Sequence, residues 1–163
     1  MHALPCTPAH AQALATLLDL FDATGLWYRA TGGLAGNLHG SRWPLHDIDI
    51  DYRRADWPRL AAALGAALVE APAPYEDDEF RLVLARADIA GVAIELCQLE
   101  DAWVAGAHGW QALPEEPDER EPRPWGARQV WCLPLASLIA YKSALGRAAD
   151  LADLRGLAAV ARI

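Results

Sequence analysis

A mixed α/β or α+β domain with a largely central sheet is the fold class that these 163 residues predict. Three observations carry it: apolar residues at helical spacing near both ends, a period-two run after the first helical segments, and a strand–turn–strand stretch in the middle. "AHAQALATLLDLFDAT" spaces its leucines and phenylalanine as a helix does, with Thr7 as N-cap, Pro8 in the first turn and Gly25 to close it. "LWYRAT" reads as a strand that ends at Gly32 and Gly33, and "LAGNLHG" has the length of a short helix ending at Gly40. "DIDIDY" is a strand by its period of two, and residues 56–68 return to helical spacing. "FRLVLARADIAGVAIELCQL" predicts two strands joined by a tight turn near Ala90 and Gly91. Residues 100–127, rich in Pro, Gly and acids, read as an irregular excursion before a last short strand, "ARQVWCL". Pro134 opens "LASLIAYKSAL", and "AADLADLRGLAAVA" makes a final helix after Gly146. The expected organisation is one domain over 1–163, with a sheet-containing core in 1–132 and C-terminal helices in 133–163 packed on it.

With 53% apolar residues the chain can bury a substantial core, and no apolar run reaches the length of a membrane span. The N-terminal "MHALPCTPAH" lacks a basic region followed by an apolar stretch, so a cytoplasmic protein is expected. Cys6, Cys97 and Cys132 are odd in number and widely spaced, which suits buried free thiols in a reducing compartment. The net charge of −8 argues against an extended nucleic-acid surface. Part of the excess is local, in "EEPDERE" (115–121), which reads as a solvated loop or a flap over a site.

"HDIDIDY" (46–52) puts three aspartates on alternate positions. Residues two apart on a strand share a face and lie roughly 6.6 Å apart. Asp47, Asp49 and Asp51 therefore line one face, and Ile48 and Ile50 the other. The isoleucine face is core. The aspartate face repels itself unless a hard divalent cation such as Mg²⁺ neutralises it, with Asp47, Asp49 and Asp51 as candidate ligands. An exposed strand with coincidental acids is the plain alternative. The aspartates follow "TGG" (31–33) at the end of a predicted strand, where Gly32 and Gly33 let backbone amides approach a phosphate, although glycine pairs also make ordinary turns. Together, a glycine turn, a short helix and a strand carrying Asp-x-Asp form a layout for a nucleoside triphosphate and its magnesium.

"GGLAGNLHGSRWPLHDIDID" resembles the signature of the nucleotidyltransferase fold, and "LIAYKSALGRAADLADLRGL" resembles the closing segment of its small bacterial members. Among these are antibiotic nucleotidyltransferases and nucleotidyltransferase toxins of abortive-infection type, in the polymerase-beta-like superfamily. The resemblance covers about residues 30–52 and 133–157. It implies that Gly32 and Gly33 match the phosphate-loop glycines and that Asp47 and Asp49 match the two metal carboxylates. Asp49 and Asp51 also make an Asp-x-Asp pair, but the spacing from Gly33 favours the earlier one. For the third carboxylate of the family, a base or further ligand, Glu95 in "VAIELCQ" is the best match and Asp88 the weaker one, while a surface glutamate on an edge strand is the alternative for Glu95.

Arg42, between the glycines and the aspartates, is a candidate phosphate donor or a plain surface arginine. Lys142 is the only lysine in the chain, and a point charge near triphosphate oxygens would explain its retention. Arg147, Asp150 and Asp153 read as a structural set. His39 and His46 lack metal-pair spacing and suit packing or hydrogen bonding. Trp27 and Trp43 flank the predicted site and could stack on a base. The resulting expectation is a Mg²⁺-dependent nucleotidyltransferase. It would move a nucleoside monophosphate from an NTP such as ATP to a hydroxyl acceptor, with a small molecule such as an antibiotic favoured over tRNA or protein, and with Asp47, Asp49 and Glu95 as catalytic residues. The alternative is a non-catalytic nucleotide sensor or toxin–antitoxin partner of the same fold.

Overall fold

The computed structural model describes residues 5–116 and 118–160. The reading of the N-terminus over residues 1–4, Pro117 in the acidic run, and Ala161 at the end of the expected final helix lie outside the described residues. Helix α1 (Pro8–Thr24) starts as expected, with Thr7 accepting a hydrogen bond from the His10 amide and Gly25 closing it in the left-handed conformation. Strand β1 (Tyr28–Ala30) follows, then helix α2 (Gly32–Leu38) and strand β2 (Ile48–Tyr52). The glycine pair is thus the first turn of α2 rather than a turn ahead of a helix. Helix α3 (Trp57–Leu64), flanked by single 3-10 turns, fills the helical stretch expected there.

Two corrections concern the middle of the chain. Strand β3 (Leu68–Glu76), a segment the sequence left unassigned, pairs with β4 (Phe80–Ile89). Its period-two pattern is weak because most of its residues are exposed, and Pro72 and Pro74 cannot donate to a ladder. The expected irregular excursion contains three short strands, β6 (Trp103–Gly106), β7 (Gly109–Ala112) and β8 (Glu121–Trp125). They exist because neighbouring strands complete their hydrogen bonds, not because of local propensity. The hairpin of β4 and β5 (Val92–Gln98) is present, with Ala90 and Gly91 both at positive φ in its two-residue turn. Strand β9 (Arg128–Cys132) and helices α4 (Leu135–Leu145) and α5 (Ala148–Val160) complete the order. No helix among the described residues is long and apolar enough to cross a membrane.

The strands form one mixed sheet in the order β7-β6-β4-β5-β2-β1-β9-β8, with β3 on the other side of β4. β2 runs parallel to β5 and antiparallel to β1, which runs parallel to β9. One face of the sheet is core. Ile48 and Ile50 from β2 and Ile94 and Leu96 from β5 are almost wholly buried in a cluster with Leu14, Leu17, Leu18 and Phe21 of α1. Each such side chain contributes roughly 1.5–3 kcal/mol by leaving water. A one-residue slip of β2 would bury its aspartates in that cluster, so the core fixes which face carries the acids.

Candidate active site

The register of β2 against β5 builds the floor of the site. Asp49 stands opposite Glu95, and Asp51 opposite Cys97. Because Ile48, Ile50, Ile94 and Leu96 take the core face, those four polar residues take the other. They open into a cleft of about 530 Å³, walled by the start of α2, the hairpin end of β3 and β4, and residues of α4 and α5. β5 is an inner strand, so Glu95 is not an edge-strand surface residue. Asp47 sits just before β2 rather than on it. Even so, one oxygen from each of Asp47, Asp49 and Glu95 lies within 4.8 Å of the other two.

This crowding has an electrostatic signature. Burial first, then the charges of Asp47, Glu95 and Asp51, push the Asp49 carboxyl up to about 7, while the Gly33 amide donates to it and opposes the rise. The backbone of α2 is pressed against that carboxylate. Gly32 has φ +54°, and a β-carbon there would collide with the Asp49 side chain, so glycine is required both by conformation and by space. Three convergent carboxylates, one already resisting ionisation, fit a hard divalent cation such as Mg²⁺. With their oxygens already within 4.8 Å of one another, Asp47, Asp49 and Glu95 are the residues that would hold such an ion.

Other candidates are placed differently. The structure does not bring Asp51 into this group. Its carboxylate receives two hydrogen bonds from Arg29, at 2.9 and 2.7 Å from Nε and one terminal nitrogen. The same guanidinium donates to the carbonyls of Pro114 and Glu119, tying both residues to the Asp51 side of the sheet. Lys142 lines the cleft, but it is buried with its ammonium 3.0 Å from Asp153 and 3.6 Å from Asp150. That gives the single lysine a local occupation that its sequence position did not reveal, since both partners lie on the next helix. Arg147 pairs with Asp150 at 2.6 Å and with Glu79 at 2.8 Å. Arg42 is exposed on the connection from α2 to β2 and does not line the cleft. Asp88 accepts a hydrogen bond from the Gly91 amide in the hairpin turn and does not line the cleft.

His39 is buried, with Nε2 2.9 Å from the Leu133 carbonyl, and burial lowers its proton affinity. Of the two tryptophans singled out, Trp43 lines the cleft, whereas Trp27 is buried under Arg53 and Arg120, each 5.2 Å above its ring. Cys97 is a free thiol that lines the cleft instead of lying in the core, because its position on β5 matches that of Glu95 in parity. Sequence reasoning also missed the part of the wall formed by Tyr75, Asp77, Glu79 and Tyr141. Period two on β3 would have been the signal for Tyr75, had the prolines not masked the strand.

This arrangement can be set beside known proteins. The fold is similar to that of a Thermotoga maritima protein assigned as a nucleotidyltransferase, at 17% identity over 94% of each chain with a TM-score of 0.75. It is also similar to the crystal structure of ANT(2'')-Ia in complex with adenylyl-2''-tobramycin, at 14% identity over 88% of this chain and 84% of that one, with a TM-score of 0.58. The solution structure of the antibiotic-resistance factor ANT(2'')-Ia gives 14% identity over 91% and 82%, with a TM-score of 0.59. At these identities the likeness speaks for the fold. No curated protein sequence matches the chain significantly. The family model for aminoglycoside-2''-adenylyltransferase matches residues 13–155. The chain belongs to the aminoglycoside-2''-adenylyltransferase family and is a nucleotidyltransferase.

Proposed function

We propose that this enzyme transfers a nucleoside monophosphate from a Mg²⁺-bound NTP, with ATP first among the candidates, to a hydroxyl of a cationic small molecule. The observation that carries the reading is the cluster of Asp47, Asp49 and Glu95 oxygens within 4.8 Å at the floor of the cleft. Asp47 and Asp49 would hold the metal, which when bound neutralises charge on the phosphates and supports in-line displacement. The engagement of Asp51 with Arg29 favours the earlier pair, Asp47 and Asp49, as the metal pair. Gly32 and Gly33 hold the first turn of α2 against the Asp49 carboxylate, and backbone amides of that turn would meet phosphate oxygens held beside it. Glu95 would accept the proton of the acceptor hydroxyl as its oxygen bonds to the α-phosphorus and the bond from that phosphorus to the pyrophosphate oxygen breaks. The presence of this third carboxylate favours turnover over a binding-only role.

Acceptor charge follows from the walls. Eight carboxylates line the cleft, Asp77 and Glu79 in its wall among them, against three cations, Arg29, Lys142 and Arg147, so acids remain in excess after the ion pairs are counted. An acid-rich cleft attracts a polycation such as an amino sugar and disfavours RNA. The free thiols and the absence of any long apolar helix among the described residues suit a cytoplasmic enzyme. The test is pyrophosphate release with each NTP and Mg²⁺ against a panel of aminoglycosides, uncharged sugars and tRNA. Release dependent on Mg²⁺ and on an aminoglycoside is expected. Release with none of the acceptors, or equal release after chelation, overturns the reading.

A further inference from the structure

An exposed apolar side chain calls for an explanation when it faces a site rather than bulk solvent. Among the described residues the large exposed hydrophobics are Trp43, Val69, Trp103, Trp131 and Leu151. Of these, Trp43 alone lines the cleft, and it is 42% exposed.

The loop that carries Trp43 is fixed along its length. The Ser41 amide donates to the Gly36 carbonyl at 2.9 Å, and the Ser41 hydroxyl donates to buried Asp153, itself held by Lys142. The Trp43 amide donates to the Ser41 hydroxyl at 3.1 Å. Buried Asn37 donates from one side-chain nitrogen to the carbonyls of both Ser41 and Trp43, at 3.2 and 2.9 Å. Downstream, the Leu45 amide donates to the Pro5 carbonyl at 3.2 Å, and the His46 carbonyl lies 3.0 Å from His10 Nε2. Side chains from α1, α2 and α5 thus hold a surface segment rigid, and the residue it presents to the cleft is an uncovered indole. A rigid aromatic loses little conformational entropy on binding a flat partner.

We propose that Trp43 is the stacking platform for the nucleobase of the donor NTP, an inference that rests on the donor-nucleotide reading above. The same loop ends at Asp47, four residues on, so the two Cα atoms are at most about 14 Å apart. Leu45 between them packs against Gly33, with a β-carbon at that glycine 3.4 Å from its Cδ1. Trp43 thus lies on the segment that joins α2, whose first turn holds the glycine pair, to Asp47, and it lines the same cleft as all three, so it belongs to the wall built by the donor-binding elements. Glu95, the proton acceptor, comes from β5 and marks the other side for the acceptor. A single aromatic face reads the area of a base rather than its edge. The donor preference is thus set by ring size, with purine nucleotides binding tighter than pyrimidine nucleotides.

The experiment is calorimetric titration of ATP, UTP and inorganic tripolyphosphate, each with Mg²⁺, into the full chain, Trp43→Ala and Trp43→Phe. Wild type should bind ATP tighter than UTP. Trp43→Ala should weaken ATP by about ten- to a hundredfold, bring ATP and UTP close together, and leave tripolyphosphate unchanged. Trp43→Phe should keep most of the ATP affinity. The inference fails if Trp43→Ala binds ATP as wild type does, if it loses tripolyphosphate by the same factor, or if it raises only the KM of the acceptor. If wild type binds neither ATP nor tripolyphosphate, the donor-nucleotide reading itself falls and takes the stacking role with it.

Discussion

Replacing Asp49 with asparagine should stabilise the metal-free protein while abolishing its response to Mg²⁺. In the folded chain the Asp49 carboxyl is pushed from its ordinary 3.8 to about 7 by burial and by the charges of Asp47, Glu95 and Asp51. The folded state therefore holds that proton more tightly than the unfolded state does. Stability associated with it is fully present below about pH 4 and is lost as pH rises through about 7. Three decades of proton affinity, at about 1.36 kcal/mol each, amount to about 4 kcal/mol. Asparagine keeps the volume and the acceptor for the Gly33 amide but cannot ionise. At about pH 8 in EDTA the variant should be more stable by up to about 4 kcal/mol, or roughly 10 °C in Tm for a chain of this size. At about pH 4 the difference should vanish. Adding Mg²⁺ at the higher pH should raise the Tm of wild type by mass action and leave the variant unmoved. Differential scanning calorimetry across pH, with EDTA and with Mg²⁺, reads all four conditions. A variant no more stable than wild type at high pH, or equally stabilised at both pH values, would refute the claim that burial and neighbouring charge hold the proton on Asp49.

Glu95→Gln should lower transfer by about a hundredfold or more while Mg²⁺–NTP binding, followed by calorimetry, stays within a few-fold of wild type; unchanged turnover would remove Glu95 from the mechanism. Gly32→Ala forces a side chain into the Asp49 carboxylate at positive φ, and it should cost about 1–3 kcal/mol by denaturant titration and weaken Mg²⁺ binding together. Lys142→Met leaves buried Asp150 and Asp153 without their shared ammonium, which should destabilise by about 3–5 kcal/mol, measured by urea unfolding. Removal of Asp51 by Asp51→Ala strands the buried Arg29 guanidinium and should cost a similar roughly 3–5 kcal/mol in the same measurement, yet spare metal affinity relative to Asp47→Asn.

The local rules of the chain were enough to determine the elements that carry their own punctuation. Thr7-Pro8 and Gly25 bound α1, Ala90 and Gly91 turn the β4–β5 hairpin, and Pro134 and Gly146 frame α4. Period two was enough to put Ile48 and Ile50 on one face of β2 and Asp49 and Asp51 on the other, because a buried face tolerates no slip. Alternation could not say what each aspartate meets. Asp49 faces Glu95 because β2 pairs in parallel with a strand more than forty residues later in this register. Asp51 is claimed by Arg29 from the antiparallel neighbour on the other side. Equivalent positions in the sequence thus become a crowded carboxylate and a neutralised one. β6 is ordered in part by such a partner, β4, whereas β7 and β8 are completed by hairpin neighbours, β6 and β9. The same distinction accounts for Lys142, drawn to two aspartates on the following helix. Periodicity and capping are properties of neighbouring residues, whereas a charge in a cleft takes its meaning from whichever long-range partner the folded chain sets beside it.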